Sequence, residues 1–252
     1  MQSPYVSYSL ANAIATIEFY TPQHNSLPAS ILAQLAIKIV EAGNDDICKV
    51  IILKSAGEKT FCAGASFDEL IQIETSEQGL QFFSGFANVI NAMRKCPKFI
   101  IGRVQGKSVG GGVGLAAACD YTLATKQASI KLSELAVGIG PFVVGPAVER
   151  KIGTSAAYEL AIDAANFRSA EWAKQKGLFV EIFENIADLD AHIAQFAENL
   201  STQSPMAMAD IKAAFWSGTE HWDELLLQRA AISGKLVLSN FTKEFINGFK
   251  GK

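Results

Sequence analysis

Short apolar runs mark the strands that this chain is expected to form. Residues 5–10 and 13–19 alternate apolar and polar side chains, which predicts a hairpin that turns at Ala11-Asn12. Residues 54–65 contain glycines and are predicted to be a loop. Five further apolar runs predict short strands, most of them buried, at 50–53, 99–104, 121–124, 130–132 and 178–183.

Segments with helical spacing separate these strands. Pro28 opens a helix in which apolar residues recur at that spacing, at Ile31, Leu32, Leu35, Ile39 and Val40. Ser66 followed by Glu69 has the spacing of a capping box, so another helix should begin just after Ala65. Helices are also expected at 77–95, at 115–119 and over most of the chain after 146. Strands and helices interleaved in this way are typical of an α/β fold.

The last sixty residues hold three or four predicted helices that are unusually rich in large apolar groups. Phe241, Phe245 and Phe249 recur every fourth residue and therefore share one helical face. Such a face is expected to pack on a neighbouring subunit. We therefore divide the chain into a core, residues 1–195, and a helical oligomerisation region, residues 196–252.

Composition excludes several classes of protein. Of the 252 residues, 49% are hydrophobic and 19% charged, which excludes a disordered chain. The net charge of −3 provides no broad basic field for nucleic acid or anionic lipid. No signal peptide or membrane-spanning run is visible, and the four cysteines lack CxxC spacing. We expect a cytoplasmic protein without a nucleic-acid or membrane partner, and the three scattered histidines predict no metal site.

Two glycine-flanked turns, each leading into a helix, are the strongest candidate binding feature. One is Ala63-Gly64-Ala65 and the other is Gly110-Gly111-Gly112. Helix N-termini leave backbone N–H groups unpaired, and small residues let a ligand approach them. Two such donors aimed at one point would form an oxyanion hole. The alternative, that the glycines only permit close helix packing, is about equally consistent with these residues.

Two other motifs are excluded. Gly106-Lys107-Ser108 resembles the end of a P-loop, but only three residues separate Gly102 from Gly106, where GxxxxGK[ST] needs four. The chain contains no GxSxG nucleophile elbow. Neither a P-loop NTPase nor an α/β-hydrolase is therefore predicted.

Glu134 is the candidate acid/base. It follows an apolar strand, and apolar surroundings would raise the pKa of its carboxyl group and suit it to proton transfer. The alternative, a solvated glutamate in a turn, is the more frequent environment for this residue type.

Taken together, several motifs in one order resemble the enoyl-CoA hydratase/isomerase (crotonase) family. They are His24-Asn25-Ser26-Leu27, residues 61–65, residues 106–112, Cys119-Asp120, and Leu132-Ser133-Glu134 with Gly138 and Pro141. The resemblance implies a spiral of ββα turns followed by C-terminal helices that build trimers or hexamers. It also implies an acyl-CoA thioester substrate and no separate cofactor, since coenzyme A is part of the substrate.

The resemblance also implies roles for individual residues. The backbone N–H groups of Ala65 and Gly111 would polarise the thioester carbonyl, and Glu134 would transfer protons. The backbone near Gln23, His24, Ala63 and Phe67 would hold the adenine and pantetheine of CoA, and Gly110 is a further substrate-binding residue. Candidate walls of the acyl pocket are Phe82, Phe83, Phe86, Phe142 and Trp216, although aromatic residues more often serve only the core.

One position departs from the family pattern. Hydratases of the family usually carry two glutamates; Glu134 matches the second, and Gly114 stands in place of the first. A single carboxylate suffices to move a double bond, which favours an isomerase. Residues 110–115, 132–134 and 138–144 instead resemble a bacterial branch described as methylglutaconyl-CoA hydratases. We predict an enzyme that adds or removes water at a 2-enoyl-CoA. The alternatives are a 3-enoyl to 2-enoyl isomerase, a single-carboxylate dehydratase or decarboxylase, and a non-catalytic acyl-CoA binder.

Overall fold

A computed structural model describes residues 2–250 of the chain and the side chains of residues 2–248. It opens with an antiparallel hairpin of β1 (Tyr5–Ala11) and β2 (Ile14–Tyr20). The turn lies at Asn12-Ala13, one residue later than predicted, and both residues have left-handed φ angles, of 52° and 63°. Asparagine tolerates this conformation better than most residues, which favours the later turn.

Two sheets run through the molecule. The six-stranded sheet has the order β1-β2-β3-β5-β7-β10, and all neighbours after β1-β2 are parallel. Its other strands are β3 (Val50–Ser55), β5 (Phe99–Val104), β7 (Tyr121–Thr125) and β10 (Glu181–Phe183). The four-stranded sheet has the order β4-β6-β8-β9, formed by β4 (Thr60–Cys62), β6 (Lys107–Val109), β8 (Ser129–Lys131) and β9 (Arg168–Ser169).

Helices connect the strands and form the C-terminal part. They are α1 (Ala29–Asn44), α2 (Phe67–Leu70), α3 (Ser76–Lys95), α4 (Gly111–Ala118), α5 (Gly145–Ile152), α6 (Thr154–Ile162), α7 (Ala170–Gln175), α8 (Ile186–Ser201), α9 (Pro205–Trp216), α10 (Trp222–Leu236) and α11 (Asn240–Lys250), with a 3₁₀ turn at Leu135–Val137. Within the described residues no helix has the length and apolar character needed to cross a bilayer.

From β3 to β8, consecutive strands alternate between the two sheets, and this creates a repeating spiral. In each of the pairs β3/β4, β5/β6 and β7/β8 the first strand joins the large sheet and the second joins the small one. Successive pairs stack in parallel. The predicted α/β fold of ββα turns is confirmed. Strands β4 and β6, of three residues each, are too short to leave a periodic signal, and β4 lies in the segment predicted as a loop.

The core lies between the sheets and the helices that cover them. Its fully buried side chains include Phe19, Phe61 and Leu35. Helix α10 packs on α3 of the same chain so closely that a β-carbon on Gly79 would stand 2.6 Å from Gly234 Cα. Leu226 of α10 is accordingly fully buried in the main core.

The predicted domain boundary and the predicted phenylalanine face both involve this C-terminal part. Residue 196 lies inside α8, which itself covers the large sheet through Leu189, Ile193 and Ala197. Phe241 is 62% exposed and Phe245 is half-buried, whereas the side chain of Phe249 lies outside the described residues. Division of the chain into a core and an oligomerisation region stays a prediction.

The helix predicted just after Ala65 is confirmed, but its capping box and the start of the next predicted helix differ from the prediction. Ser66 does cap α2 by accepting a hydrogen bond from Glu69 N, but the Glu69 carboxylate accepts instead from Ala29 N, at 2.9 Å. The capping box is therefore only half formed. The helix expected at 115–119 begins earlier, at Gly111, because the glycine run itself is helical.

Candidate active site

The loop that carries Ala65 is held in place by the segment after β2. Leu27 N donates to Gly64 O at 2.7 Å, and Ser66 N donates to Leu27 O at 3.1 Å. The buried side chain of Asn25 donates to Ala56 O and Thr60 O, each at 2.9 Å. These bonds fix the course of residues 56–66, so the His24–Leu27 motif has a structural role in building the site.

The two glycine-flanked turns meet. Gly64 has a φ of +92°, and a β-carbon there would stand 3.6 Å from Gly111 N and 3.1 Å from Val109 O. Gly111 is the first residue of α4, so its N–H has no acceptor within the helix. The amides on either side of Ala65 are hydrogen-bonded. Ala65 N–H itself has no backbone acceptor among the described residues. Two free donors from separate loops therefore border the same space.

The carboxyl group of Glu134 lies beside these turns in an apolar environment. Its Oε2 is buried and has no hydrogen-bond partner among the described residues, although other atoms of the residue remain partly exposed. Burial raises the pKa of Glu134 to about 7, and a backbone hydrogen bond opposes this increase only in part. Near neutral pH the group is therefore poised between its acid and base forms.

Gly110 allows Glu134 to approach the helix that begins at Gly111. Its φ of +52° suits glycine, and a β-carbon there would stand 3.1 Å from Glu134 Oε1. A larger residue would displace the carboxyl group. On the other side of the helix start, the Phe86 ring occupies the space beside Gly111 and leaves no room for a side chain there.

Val144 fills the space beside Gly114. A β-carbon on Gly114 would stand 2.5 Å from Val144 Cγ1 and 2.7 Å from Val144 Cβ. Val144 is itself 4% exposed and packs in the main core. The first turn of α4 therefore cannot present a second carboxylate to Glu134 without displacement of Val144.

These groups surround a cavity of about 240 Å³. Ala65, Gly111 and Glu134 all lie on its wall. The remaining wall is largely apolar, with Phe67, Leu70, Phe82, Phe83, Phe86, Val137, Ile139, Phe142, Val143 and Val144, and two serines, Ser133 and Ser233. An apolar cavity with two free amides and one carboxyl group has the parts needed to polarise a carbonyl and move a proton beside it.

A second, more open cavity of about 1000 Å³ shares Ala63 and Val109 with the first. Its wall carries more polar side chains than the first, including His24, Lys59, Gln105, Lys107 and Gln127, and among the described residues Glu58 is the one acidic residue that borders it. The amide of Lys107 donates to Lys59 O at 3.1 Å, which brings the two lysines to one edge of the small sheet. The two cavities therefore adjoin at Ala63 and Val109, and the outer one carries the two lysines.

Comparison with known proteins identifies this arrangement. A family model described as "Enoyl-CoA hydratase/isomerase" matches residues 9–248. The chain belongs to the enoyl-CoA hydratase/isomerase family. It is an enzyme of that type, as the resemblance in its motifs implied.

Relatives with different activities lie at similar distances. The chain is 33% identical to a peroxisomal Delta(3,5)-Delta(2,4)-dienoyl-CoA isomerase of Arabidopsis thaliana, over 70% of this chain and 67% of that protein. It is 32% identical to a mitochondrial methylglutaconyl-CoA hydratase of Mus musculus, over 78% of this chain and 63% of that protein. The crystal structure of an enoyl-CoA hydratase from Bacillus halodurans has the same fold, with a TM-score of 0.89, 22% identity and coverage of 97% and 99%.

Most site residues implied by the family resemblance come together at the two cavities. Phe67 and Gly110 border the smaller cavity, His24 borders the larger one, and Ala63 borders both. Gln23 is exposed and borders neither cavity; its carbonyl accepts a hydrogen bond from Ser26 N at 3.0 Å. A contact between its backbone and CoA stays a prediction.

Four of the five candidate pocket walls border the smaller cavity, and Trp216 does not. Trp216 ends α9, and its Nε1 donates to Asp120 Oδ1 at 2.9 Å, so the residue joins a helix to the core elsewhere. His221 is exposed, as predicted, but His192 is half-buried with its ring against Phe183 and Phe196.

Sequence reasoning missed Lys59, Lys107 and Val144. The Gly106-Lys107 motif, excluded as a P-loop, has a different use. A β-carbon on Gly106 would stand 2.3 Å from Lys59 O, so glycine permits the close approach of the two segments. The Val144 contact joins residues thirty positions apart, and no local pattern reveals such a pair.

Proposed function

We propose that this family member is an enoyl-CoA isomerase that shifts a double bond from C3 to C2, with Glu134 as its only acid/base. The observation that carries the proposal is the exclusion of a second carboxylate by Val144 at Gly114. Among the described residues that border the cavity, Glu134 alone has a carboxyl side chain. Migration of a double bond needs one group that removes a proton and returns it, whereas hydration must also activate water.

The proposed reaction places the thioester oxygen between the N–H groups of Ala65 and Gly111. The Glu134 carboxylate removes a proton from C2, and the electron pair moves into the thioester to form a dienolate. The two amides stabilise the negative oxygen, and each such donor is typically worth about 10²–10³ in rate. Glu134 then returns the proton to C4, the carbonyl is restored, and the C2–C3 double bond forms. No cofactor is required.

Binding of the CoA moiety is assigned to the larger cavity. The backbone near Gln23, His24 and Ala63 would contact its adenine and pantetheine, and Lys59 and Lys107 would face its phosphates. Phe67 and Gly110 would contact the acyl end. The two lysines support this assignment because they give one part of an acidic protein a local positive charge.

Hydration is the second candidate. It is supported by the 32% identity to a methylglutaconyl-CoA hydratase. In that case Glu134 would both activate water and protonate C2. Hydration would be slow because the site has no second carboxylate to share these two tasks.

The test compares 3-hexenoyl-CoA and 2-hexenoyl-CoA as substrates. We expect conversion of the first to the conjugated thioester, with hydration of the second slower by at least about tenfold. Glu134→Gln should reduce kcat/KM by at least about 100-fold while acyl-CoA binding persists. Asp68→Asn, at an exposed acidic residue outside the cavity, is the matched control.

The outcomes separate the alternatives. Faster hydration than isomerisation would establish the second candidate. Binding without turnover of either thioester would indicate a non-catalytic binder, and carbon dioxide release from a malonyl-type thioester would indicate a decarboxylase. Full activity of Glu134→Gln would remove that residue from the mechanism.

We further propose that the enzyme is a homo-oligomer, a trimer or hexamer, in the cytoplasm. Exposed apolar side chains on α9 support oligomerisation: Ile211 and Phe215, one helical turn apart, are 47% and 76% exposed, and Met206 is 78% exposed. Four free cysteines support a reducing compartment. Light scattering of the purified protein tests the assembly, and a monomer at micromolar concentration would contradict it.

A further inference from the structure

We propose that the acyl site accepts uncharged, apolar acyl chains of up to about eight carbons and rejects chains that end in a second carboxylate. This inference rests on the proposed function, since it assumes that the cavity beside Glu134 holds the acyl group. It identifies the class of substrate, which neither the fold nor the family determines.

The first argument is the charge of the wall. No lysine, arginine or histidine borders this cavity among the described residues, and its polar side chains are those of Ser133, Glu134 and Ser233. A distal carboxylate would therefore enter the cavity without a cation to pair with. It would also lie in the same small space as the Glu134 carboxyl group.

The second argument is the loss of solvent. The wall carries five phenylalanines, of which Phe82 and Phe83 pack edge to face with their ring centroids 5.0 Å apart. Moving an ionised carboxylate into such surroundings without a partner is strongly unfavourable, whereas a terminal methyl group gains by burial. The environment already raises the pKa of the Glu134 carboxyl group to about 7, so it disfavours a negative charge there.

The third argument is size. An apolar cavity of about 150 Å³ is enough for benzene, which has six heavy atoms. By the same proportion, a cavity of about 240 Å³ holds roughly ten heavy atoms. The thioester oxygen and sulfur account for two of these, which leaves room for about eight carbons.

The proposal predicts a different acyl group for this chain than the one in the name of one of its relatives. The methylglutaconyl group in the name of the Mus musculus relative carries a second carboxylate. The phenylalanine-lined cavity here favours an unsubstituted or alkyl-branched enoyl chain instead.

The decisive experiment measures binding of two saturated thioesters of equal length, hexanoyl-CoA and adipoyl-CoA, by calorimetry. They differ only in a terminal methyl group against a terminal carboxylate. We expect hexanoyl-CoA to bind at least about 100-fold more tightly at pH 8, where the carboxylate is ionised. Equal affinities would overturn the proposal. Because saturated thioesters undergo no double-bond migration, failure of the isomerase reaction would leave this result intact, and the two proposals fail separately.

Two substitutions at Phe82 test whether the missing cation is the reason that the site rejects a terminal carboxylate. Phe82 is half-buried on the cavity wall, so a lysine there can extend to solvent when the site is empty. Phe82→Lys should raise the affinity for adipoyl-CoA at least about tenfold relative to Phe82→Met, which has similar length and no charge. The same adipoyl-CoA affinity in both variants would show that the missing cation is not the reason for rejection.

A chain-length series tests the size limit. Affinity should rise from butanoyl-CoA to octanoyl-CoA and then fall for dodecanoyl-CoA, whose end cannot be contained. Dodecanoyl-CoA that binds as tightly as octanoyl-CoA would overturn the limit of eight carbons.

Discussion

Val144 Cγ1 lies 2.5 Å from the point where a β-carbon on Gly114 would stand. The glycine on α4 and the valine just before α5 therefore fit together as a pair, and neither can enlarge alone. Valine is stiff about its first side-chain torsion, so it cannot swing away to make room. This contact puts an apolar side chain where a second carboxylate would stand, and it is the physical basis for a site with one carboxylate.

Gly114→Ala should destabilise the protein. Overpacking against Val144 should destabilise it by about 1–3 kcal/mol, which outweighs the gain of about 1 kcal/mol in helix propensity. Urea unfolding of the variant against wild type measures the difference. Gly145→Ala is the matched control, since a β-carbon at that helical glycine meets nothing within 4 Å. In the Val144→Ala background, Gly114→Ala should lower the free energy of unfolding by about 1 kcal/mol less, or by a still smaller amount. Equal costs in both backgrounds would show that the two residues are not coupled.

The pH dependence of the rate should follow ionisation of Glu134. Burial raises the pKa of this carboxyl group to about 7, and only the ionised form can remove a proton from C2. Values of kcat/KM should therefore rise with pH and level off above an apparent pKa near 7. Asp68→Asn should leave the profile unchanged. An apparent pKa near 4.5 on the acid side of this profile would mean that Glu134 is solvated in the free enzyme.

The same shift predicts a pH dependence of stability. Because the folded protein holds the Glu134 proton more tightly than the unfolded chain, this group stabilises the fold fully below about pH 4.5, and the contribution is lost as pH rises through about 7. Its size is at most about 3 kcal/mol. Glu134→Gln should become more stable relative to wild type between pH 5 and pH 8, as measured by urea unfolding at each pH. A constant difference between the two proteins would contradict the buried, unpaired environment.

Gly110→Ala should reduce both activity and stability. Alanine at a φ of +52° is strained, and its β-carbon would stand 3.1 Å from Glu134 Oε1. Gly57→Ala isolates the strain, because Gly57 has a φ of +82° but open space around it. Both variants should lose about 1–2 kcal/mol of stability, whereas only Gly110→Ala should lose at least about tenfold in kcat/KM. Similar activities in the two variants would show that Glu134 moves aside without consequence.

Asp120 should matter for stability and not for chemistry. Its carboxylate accepts hydrogen bonds from Ile100 N at 2.7 Å and Trp216 Nε1 at 2.9 Å, and Lys212 Nζ lies 2.8 Å from it. Lys212 is 2% exposed, so Asp120→Asn leaves a buried charge without its partner and should destabilise by about 3–5 kcal/mol. The control is Glu41→Gln in the exposed ion pair with Lys38, with an expected effect within about 1 kcal/mol. A loss of kcat/KM in folded Asp120→Asn protein would contradict a purely structural role.

The order of strands and helices was largely predictable from the sequence, because apolar periodicity depends on neighbours along the chain. The α/β fold followed from that order, and the family followed from several motifs in fixed succession. Strands of three residues, such as β4 and β6, were not predictable from periodicity, since the two pair with each other across a long stretch of chain, Thr60 with Lys107. The turn at Asn12-Ala13 was displaced by one residue for a local reason, the conformational tolerance of asparagine.

For individual site residues, too, part of the chemistry was predictable from the sequence and part only from the tertiary structure. The sequence by itself established that Glu134 has no partner glutamate at Gly114, because that fact concerns residue identity at two positions. Only the tertiary structure decided that Val144 occupies the space beside Gly114 and that, within the described part of the chain, no cationic side chain borders the cavity around the carboxyl group. Such facts depend on close packing between segments distant in the chain, and packing is a property of three-dimensional contact that no local pattern of residues encodes.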